Sequence, residues 1–316
     1  MPVHESQSLN TMPFIATPDL RIHYETAGAG ETVVVLLHGN FASWRWWIPT
    51  LQNIPDTYRV YAPDLRGCGD TEQTETGYSI EQLSDDLFHF TQALKLPRFH
   101  LVGHSLGGAI ALQFILDHPA LVESLSLIAP SPAEGLPHLH PDRSALFSLN
   151  RLADAQEFHS FLRNFDMNRS MLRRALRRML PSITTEDHSF MALLDDAARL
   201  PPQAIVGFLR TLTTWDVQAR LGEIQQPVLV LWGELDGIVE REALGRTVAG
   251  LPQAKWVIWT GVGHSPQLER PAKFNQLLLQ FIENNNVSIE NPAQEQVTTE
   301  SGIVGWFKKF LQRFKQ

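Results

Sequence analysis

Ser105 stands in the run Gly103-His104-Ser105-Leu106-Gly107-Gly108, between glycines on both sides. A serine hydroxyl becomes a nucleophile at neutral pH only when a base takes its proton and a carboxylate holds that base in the right tautomer. Both are available further along. Leu229-Val230-Leu231-Trp232 runs into a turn carrying Asp236, and Trp259-Thr260-Gly261-Val262-Gly263-His264 ends another run in a glycine-flanked histidine. Glu234 competes with Asp236 for the acid role, and an acid just past a strand also serves as a helix cap. Acyl transfer also places negative charge on the former carbonyl oxygen, which requires backbone N–H donors already aimed at it. Leu106 supplies one, and Asn40, in Leu37-His38-Gly39-Asn40, is the candidate for the second. His38 reads as ordering that loop rather than reacting.

A Gly-x-Ser-x-Gly match is weak alone, so its flanks decide. Residues 99–102 read as a strand entering the pentapeptide and 109–116 as a helix leaving it, the strand–turn–helix that lifts a serine hydroxyl above a sheet. Other short apolar runs are spaced as strands at 14–16, 21–25, 32–37, 59–62, 124–128, 227–232 and 255–259, with helical spacing at 80–94 and 271–282. The first two runs, turned by Pro18-Asp19, form an entry hairpin, and the rest alternate with helices as a largely parallel sheet does.

Between 131 and 222 the pattern becomes helical, with stripes Phe158, Phe161, Leu162, Phe165 and Met171, Leu172, Leu176, Met179. The chain thus divides into a first core part (1–130), a helical cap (131–222), a second core part (223–283), a polar linker (284–302) and a tail (303–316). Phe158, Phe161, Phe165, Phe190, Met191, Phe208 and Trp215 either line an apolar cavity over Ser105 or pack the cap onto the core. Arg173, Arg174, Arg177 and Arg178 form a basic face, most simply solvated, otherwise suited to lipid phosphate or an acidic substrate.

The formal charge of −8 argues against general nucleic-acid binding. The tail opposes it, with Lys308, Lys309, Arg313 and Lys315 and no acid. There Ile303, Trp306, Phe307, Phe310, Leu311 and Phe314 make one stripe, an amphipathic helix for a membrane surface, a partner or its own domain. No apolar run is long enough to span a bilayer, and the first ten residues lack the order of a secretory signal, so the expected location is cytoplasmic, with peripheral membrane contact through the tail. Cys68, the single cysteine, cannot form an internal disulfide and is given no role.

Over about residues 12–283 the chain resembles the α/β-hydrolase superfamily, in His38-Gly39, the loop from Asp64 to Gly69, the elbow from Gly103 to Gly108, Asp236 and His264. The resemblance implies an eight-stranded, mostly parallel sheet with a helical cap after the sixth strand, and a hydrolase without cofactor or metal. It also implies the chain order serine, acid, histidine, which Ser105, Asp236 and His264 obey. His38-Gly39-Asn40 is similar to haloalkane dehalogenases, but those use an aspartate followed by tryptophan where this chain has Ser105 and Leu106. Epoxide hydrolases likewise use aspartate, together with cap tyrosines, whereas all four tyrosines here precede the cap. What remains is a serine hydrolase acting on a small apolar ester. Carbon–carbon, lactone or amide cleavage with the same groups stays open, as does a ligand receptor on the same scaffold.

Overall fold

The computed structural model describes residues 13–136, 169–183 and 188–285. The 158–165 stripe, most of the 284–302 linker and the 303–316 tail lie outside the described residues. One sheet contains β1 (Phe14–Ala16), β2 (Arg21–Ala27), β3 (Thr32–Leu37), β4 (Tyr58–Pro63), β5 (Phe99–His104), β6 (Val122–Ile128), β7 (Val228–Gly233) and β8 (Ala254–Trp259). Their spatial order is β1-β2-β4-β3-β5-β6-β7-β8. β1 pairs antiparallel with β2, and β2 with β4, while every other neighbour is parallel. The entry hairpin is as the sequence predicts, except that β2 continues to Ala27, where Thr26 Oγ1 donates to Val60 O at 2.8 Å.

The described helices are α1 (Ile48–Leu51), α2 (Ile80–Ala93), α3 (Leu106–Asp117), α4 (Arg169–Met179), α5 (His188–Arg199), α6 (Pro202–Thr214), α7 (Arg241–Gly250), α8 (Pro266–Glu269) and α9 (Pro271–Asn284). Helices cover both sheet faces, so the inner strands are apolar on alternate sides without interruption. In β3, Val33, Val35 and Leu37 join the core that holds Leu83 and Phe90 of α2, Ile110 and Phe114 of α3 and Leu244 of α7. Val34 and Leu36 join the opposite core, with Trp47 and with Phe274, Leu278 and Phe281 of α9. Burying one such side chain contributes about 1.5–3 kcal/mol, which is why these runs dominate the sequence pattern.

Helices α4 to α6 lie between β6 and β7. Leu176, Leu180, Phe190, Leu193 and Leu194 of the first two helices and the turn after α4 form a small core on Ala42 and Trp46, in the segment after β3. Asp196 of α5 ties that segment down, accepting from Ser43 Oγ and from Arg45 Nη1 at 3.0 Å. Phe208 of α6 instead meets Tyr78 edge-on at 5.3 Å, and Trp215 Nε1 donates to Gln113 Oε1 of α3 at 2.9 Å. Phe208 and Trp215 therefore pack these helices onto the main core, and Phe190 packs within the smaller one. Phe158, Phe161 and Phe165 lie outside the described residues.

Helix α3 starts at Leu106, three residues before its apolar periodicity predicts. Gly107 and Gly108 are poor helix formers, so the sequence delays the start, but contact requires them. A Cβ on Gly107 would lie 2.5 Å from His38 O and 2.6 Å from Leu37 O, and one on Gly108 would lie 2.5 Å from Pro130 Cβ. A Gly→Ala change inside a helix ordinarily stabilises by about 1 kcal/mol. Gly107→Ala is expected to destabilise instead, by about 1–3 kcal/mol, because the new methyl meets backbone that cannot yield without moving β3. Thermal denaturation followed by circular dichroism checks the sign, and a raised Tm would contradict it.

Candidate active site

The chain passes from β3 to β4 on one side, then crosses to β5 on the other side of β3. Loops leaving β3 and β5 at their carboxyl ends therefore diverge, and the crevice between them is where open α/β sheets hold ligands. The register Leu37↔Gly103 sets the two strand ends level, so His38-Gly39-Asn40 and Ser105 face each other across that crevice. A Cβ on Gly39 would lie 3.0 Å from Ser105 Cβ.

Ser105 has φ 52° and ψ −115°, a region that side-chain-bearing residues avoid, at a cost of about 1–3 kcal/mol. Four backbone bonds hold it there. Its N–H donates to Ile128 O at 3.0 Å, and its carbonyl accepts from Gly108 N at 2.9 Å, Ser131 N at 3.0 Å and Ala109 N at 3.4 Å. Phe41 (φ 58°) and Ala129 (φ 41°) are also left-handed, so strain gathers at this edge of the sheet. Leu106 N–H, at the first position of α3, has no partner within its helix and points as helix-start donors do. Asn40 is half-buried, and its Oδ1 accepts from Phe41 N at 2.9 Å, which shapes the turn that presents its backbone.

Asp236 and His264 come together from the loops after β7 and β8. His264 Nδ1–H donates to Asp236 Oδ2 at 2.9 Å, and Asp236 Oδ1 accepts from Ile238 N at 2.8 Å and Val239 N at 3.1 Å. Both carboxylate oxygens are thus committed, which fixes the imidazole as the Nδ1–H tautomer. His264 Nε2 is buried and has no hydrogen-bond partner among the described residues. Glu234, the competing acid, is exposed and accepts, among the described residues, from Gly261 N at 3.2 Å and not from the imidazole.

His264 is joined to the serine through a residue that sequence reasoning left without a role. His104 Nε2–H donates to His264 O at 2.9 Å, the two rings lie 4.9 Å apart, and Trp46 stacks on His104 at 5.3 Å. The signal was present in the pentapeptide itself and in the dense run Trp44-Arg45-Trp46-Trp47, but no spacing rule links them. Glu269 also escaped notice. Its Oε1 accepts from Gly263 N at 2.9 Å and Ser265 N at 3.3 Å, on both sides of His264.

The neighbouring polar residues are structural. His38 Nδ1–H donates to Gly39 O at 2.8 Å while Nε2 accepts from Leu65 N at 3.0 Å, which orders the turn as expected. Asp64 accepts from His23 Nδ1 (2.7 Å), Trp44 N (2.7 Å) and Asp70 N (3.0 Å), and Arg66 forms a buried two-point pair with Asp86. His23, Asp64 and Asp70 are the one grouping with metal-ligand reach among the described residues, and these bonds already occupy Asp64. Burial pushes the Cys68 thiol well up, consistent with an inert side chain.

Burial holds His104 well below the usual imidazole range, reinforced by His264, and burial likewise lowers His38 and His100. These groups take up protons more readily unfolded than folded. Their contribution to stability is present above the unfolded value of about 6.5 and is lost as pH falls below it, by up to about 1.4 kcal/mol per pH unit for each. Urea unfolding at pH 7.5, 6.5 and 5.5 is expected to show this decline, with a shallower slope for His104→Gln. An unchanged slope would remove His104 from the account.

The α/β hydrolase fold family model matches residues 32–271. The candidate carbamate hydrolase RutD of Agrobacterium fabrum is 30% identical over 271 residues, 83% of this chain and 98% of that protein. The 2-hydroxy-6-oxo-6-phenylhexa-2,4-dienoate hydrolase of Burkholderia cepacia is 28% identical over 289 residues, 84% of this chain and 92% of that one. Among solved structures, an esterase from Exiguobacterium antarcticum superposes with a TM-score of 0.73 at 21% identity, covering 86% of this chain and 99% of that one, a likeness of fold. With three quarters of its length matched by the family model and its eight-stranded sheet in place, the chain belongs to the α/β-hydrolase fold family.

Proposed function

We propose that the chain is a serine hydrolase that cleaves a carboxylic ester, with an apolar lipid-like or aromatic substrate, through an acyl-enzyme on Ser105. The observation that carries this reading is a buried imidazole whose Nδ1 is held by a fully committed carboxylate and whose Nε2 has no partner among the described residues, one residue-contact away from a strained serine. His264 Nε2 takes the Ser105 proton as Oγ attacks the carbonyl carbon, and Asp236 stabilises the imidazolium. The oxyanion is held by the N–H groups of Leu106 and Asn40. Collapse expels the alcohol, which leaves with the proton from His264. Water then attacks the acyl carbon with His264 again as base, releasing the acid and restoring Ser105. The groups named complete the cycle without a cofactor.

A second reading has support in the dienoate hydrolase relative, since its name denotes hydrolysis of a carbon–carbon bond by a protein matching most of this chain. There the same groups would act on a ketone, and a carbanion rather than an alkoxide would leave. Lactone and amide cleavage need no further group, and a receptor would keep the triad with little turnover. The segment 131–222 acts in this proposal as the cap that selects among these substrates.

Steady hydrolysis of p-nitrophenyl butyrate and labelling by a fluorophosphonate are expected, with Ser105→Ala and His264→Ala lowering kcat/KM at least about 10⁴-fold. Labelling without turnover would favour the receptor, and turnover of a dienoic ketone over esters would favour carbon–carbon cleavage.

Among the described residues no helix is long and apolar enough to cross a membrane. Peripheral contact is part of the proposal, through the exposed arginines Arg173, Arg174, Arg177 and Arg178 of α4 and the basic amphipathic tail. Co-sedimentation with vesicles containing anionic lipid is expected for the full chain and reduced for a chain ending at Glu300. Equal sedimentation would refute the tail contact.

A further inference from the structure

The three consecutive backbone N–H groups around His264 are each bound, and not one of them to its own strand. Gly263 N and Ser265 N donate to Glu269 Oε1, and His264 N donates across to Met179 O, at the end of α4, at 3.2 Å. The other oxygen of Glu269 accepts from Ser182 Oγ at 2.9 Å, in the turn that follows α4. The two segments also touch directly. A Cβ on Gly263 would lie 2.5 Å from Pro181 Cδ, so the histidine loop and this turn approach as closely as a glycine allows. Glu269 is 6% exposed, and its carboxylate bonds both sides of this junction.

We infer that Glu269 is a positioning residue that couples the seating of the 179–183 turn to the placement of His264, an inference that rests on His264 being the base proposed above. The chemistry of the side chain suits this. Two N–H donors on one oxygen and a hydroxyl on the other need a planar group with acceptors on both arms, at the reach of a glutamate five residues after the histidine. α8 is one turn long and begins with Pro266, so the chain from Ser265 folds straight back and brings Glu269 beneath the loop it came from. Helical backbone bonds from Leu268 N and Glu269 N to Ser265 O close that turn, at 2.9 and 3.0 Å. His264 is then fixed on every side: its ring by Asp236, its carbonyl by His104, its N–H by Met179 and the flanking peptides by Glu269.

Displacing a catalytic group by about 1 Å costs on the order of 100-fold in rate, so loss of this clamp should appear in chemistry before it appears in binding. The test compares Glu269→Ala, Glu269→Gln and Ser182→Ala in the full chain. The rate of fluorophosphonate labelling of Ser105 and the steady-state constants for p-nitrophenyl butyrate are measured on protein whose circular dichroism matches the parent. Glu269→Ala is expected to slow labelling and kcat about 10- to 100-fold with KM moving less than about threefold. Glu269→Gln keeps an oxygen for the two N–H groups and offers an amide to Ser182, so it should recover most of that loss. Ser182→Ala removes only the arm to the 179–183 turn and should fall between, about three- to tenfold slow.

A parent labelling rate in Glu269→Ala, a Glu269→Gln as slow as Glu269→Ala, or a Ser182→Ala equal to the parent would each overturn the inference. Should Glu269→Ala fail to fold, the Ser182→Ala rate decides alone. Turnover surviving in Ser105→Ala would instead overturn the catalytic reading, so the two failures are distinguishable.

Discussion

Backbone-to-backbone contact between the end of β3 and the turn after β5 is the constraint on which the rest of this molecule depends. Gly107 lies against the carbonyls of Leu37 and His38 and Gly103 against Gly107 O, at distances where a Cβ could not fit, and Gly39 lies against Ser105 where one would be tight. That closeness makes the β5–α3 turn so tight that Ser105 must take a positive φ. The strain, about 1–3 kcal/mol, is offset locally, since each well-formed backbone bond at Ser105 contributes about 1 kcal/mol. Two of these bonds, with Ile128 O and Ser131 N, come from β6 and the segment after it, while β3 meets the same turn by close backbone contact at Gly107. A looser turn would relieve the strain and also sink the hydroxyl into the sheet.

The buried histidines around this turn differ in which nitrogen is protonated, and the differences assign their work. His38 uses Nδ1–H for Gly39 O and its Nε2 lone pair for Leu65 N, so nothing is left to react. His104 must carry its proton on Nε2 to reach His264 O, and burial keeps the ring neutral. A charged His104 would sit beside the His264 ring and oppose protonation there, against what a general base requires. Of these three, His264 alone pairs its ring N–H with a carboxylate, and that carboxylate is otherwise saturated. Asp236 rather than Glu234 fills that place because the turn Asp236-Gly237-Ile238-Val239 supplies two N–H donors to one oxygen and leaves the other for the ring.

Most of the sheet was legible because strands buried on both faces must be apolar at nearly every position, as in Val33 to Leu37 and Val228 to Trp232. Ser105, Asp236 and His264 could be placed for a related reason, since each lies within five residues of the end of a strand. The start of α3 could not, because its glycines are chosen for contact and not for helix propensity. Trp46, His104 and Glu269 were also opaque. Their partners lie at the ends of different strands, and no period along the chain records that Trp46 stacks on His104 or that Glu269 turns back on Gly263. The cap aromatics show the limit most plainly. Phe208 and Trp215 have the composition of a cavity lining, yet Tyr78 and Gln113 hold them in the core.

Choice of substrate follows a different logic from choice of reaction. In the proposed reaction the strained serine and the helix-start donor act only on the reacting carbon and its oxygen, and an ester, a lactone and a ketone all present these in the same way. Discrimination must then come from contacts with the parts that do not react, whose binding energy is realised as correct placement in the transition state. The 179–183 turn touches the His264 loop through Met179 O, Pro181 and Ser182, while the helices on either side of that turn build a core on Trp46, which stacks on His104. In the proposed reaction, a substrate seated against those helices would therefore also steady the loop that carries His264, so that fit and competence of the histidine would rise together rather than independently.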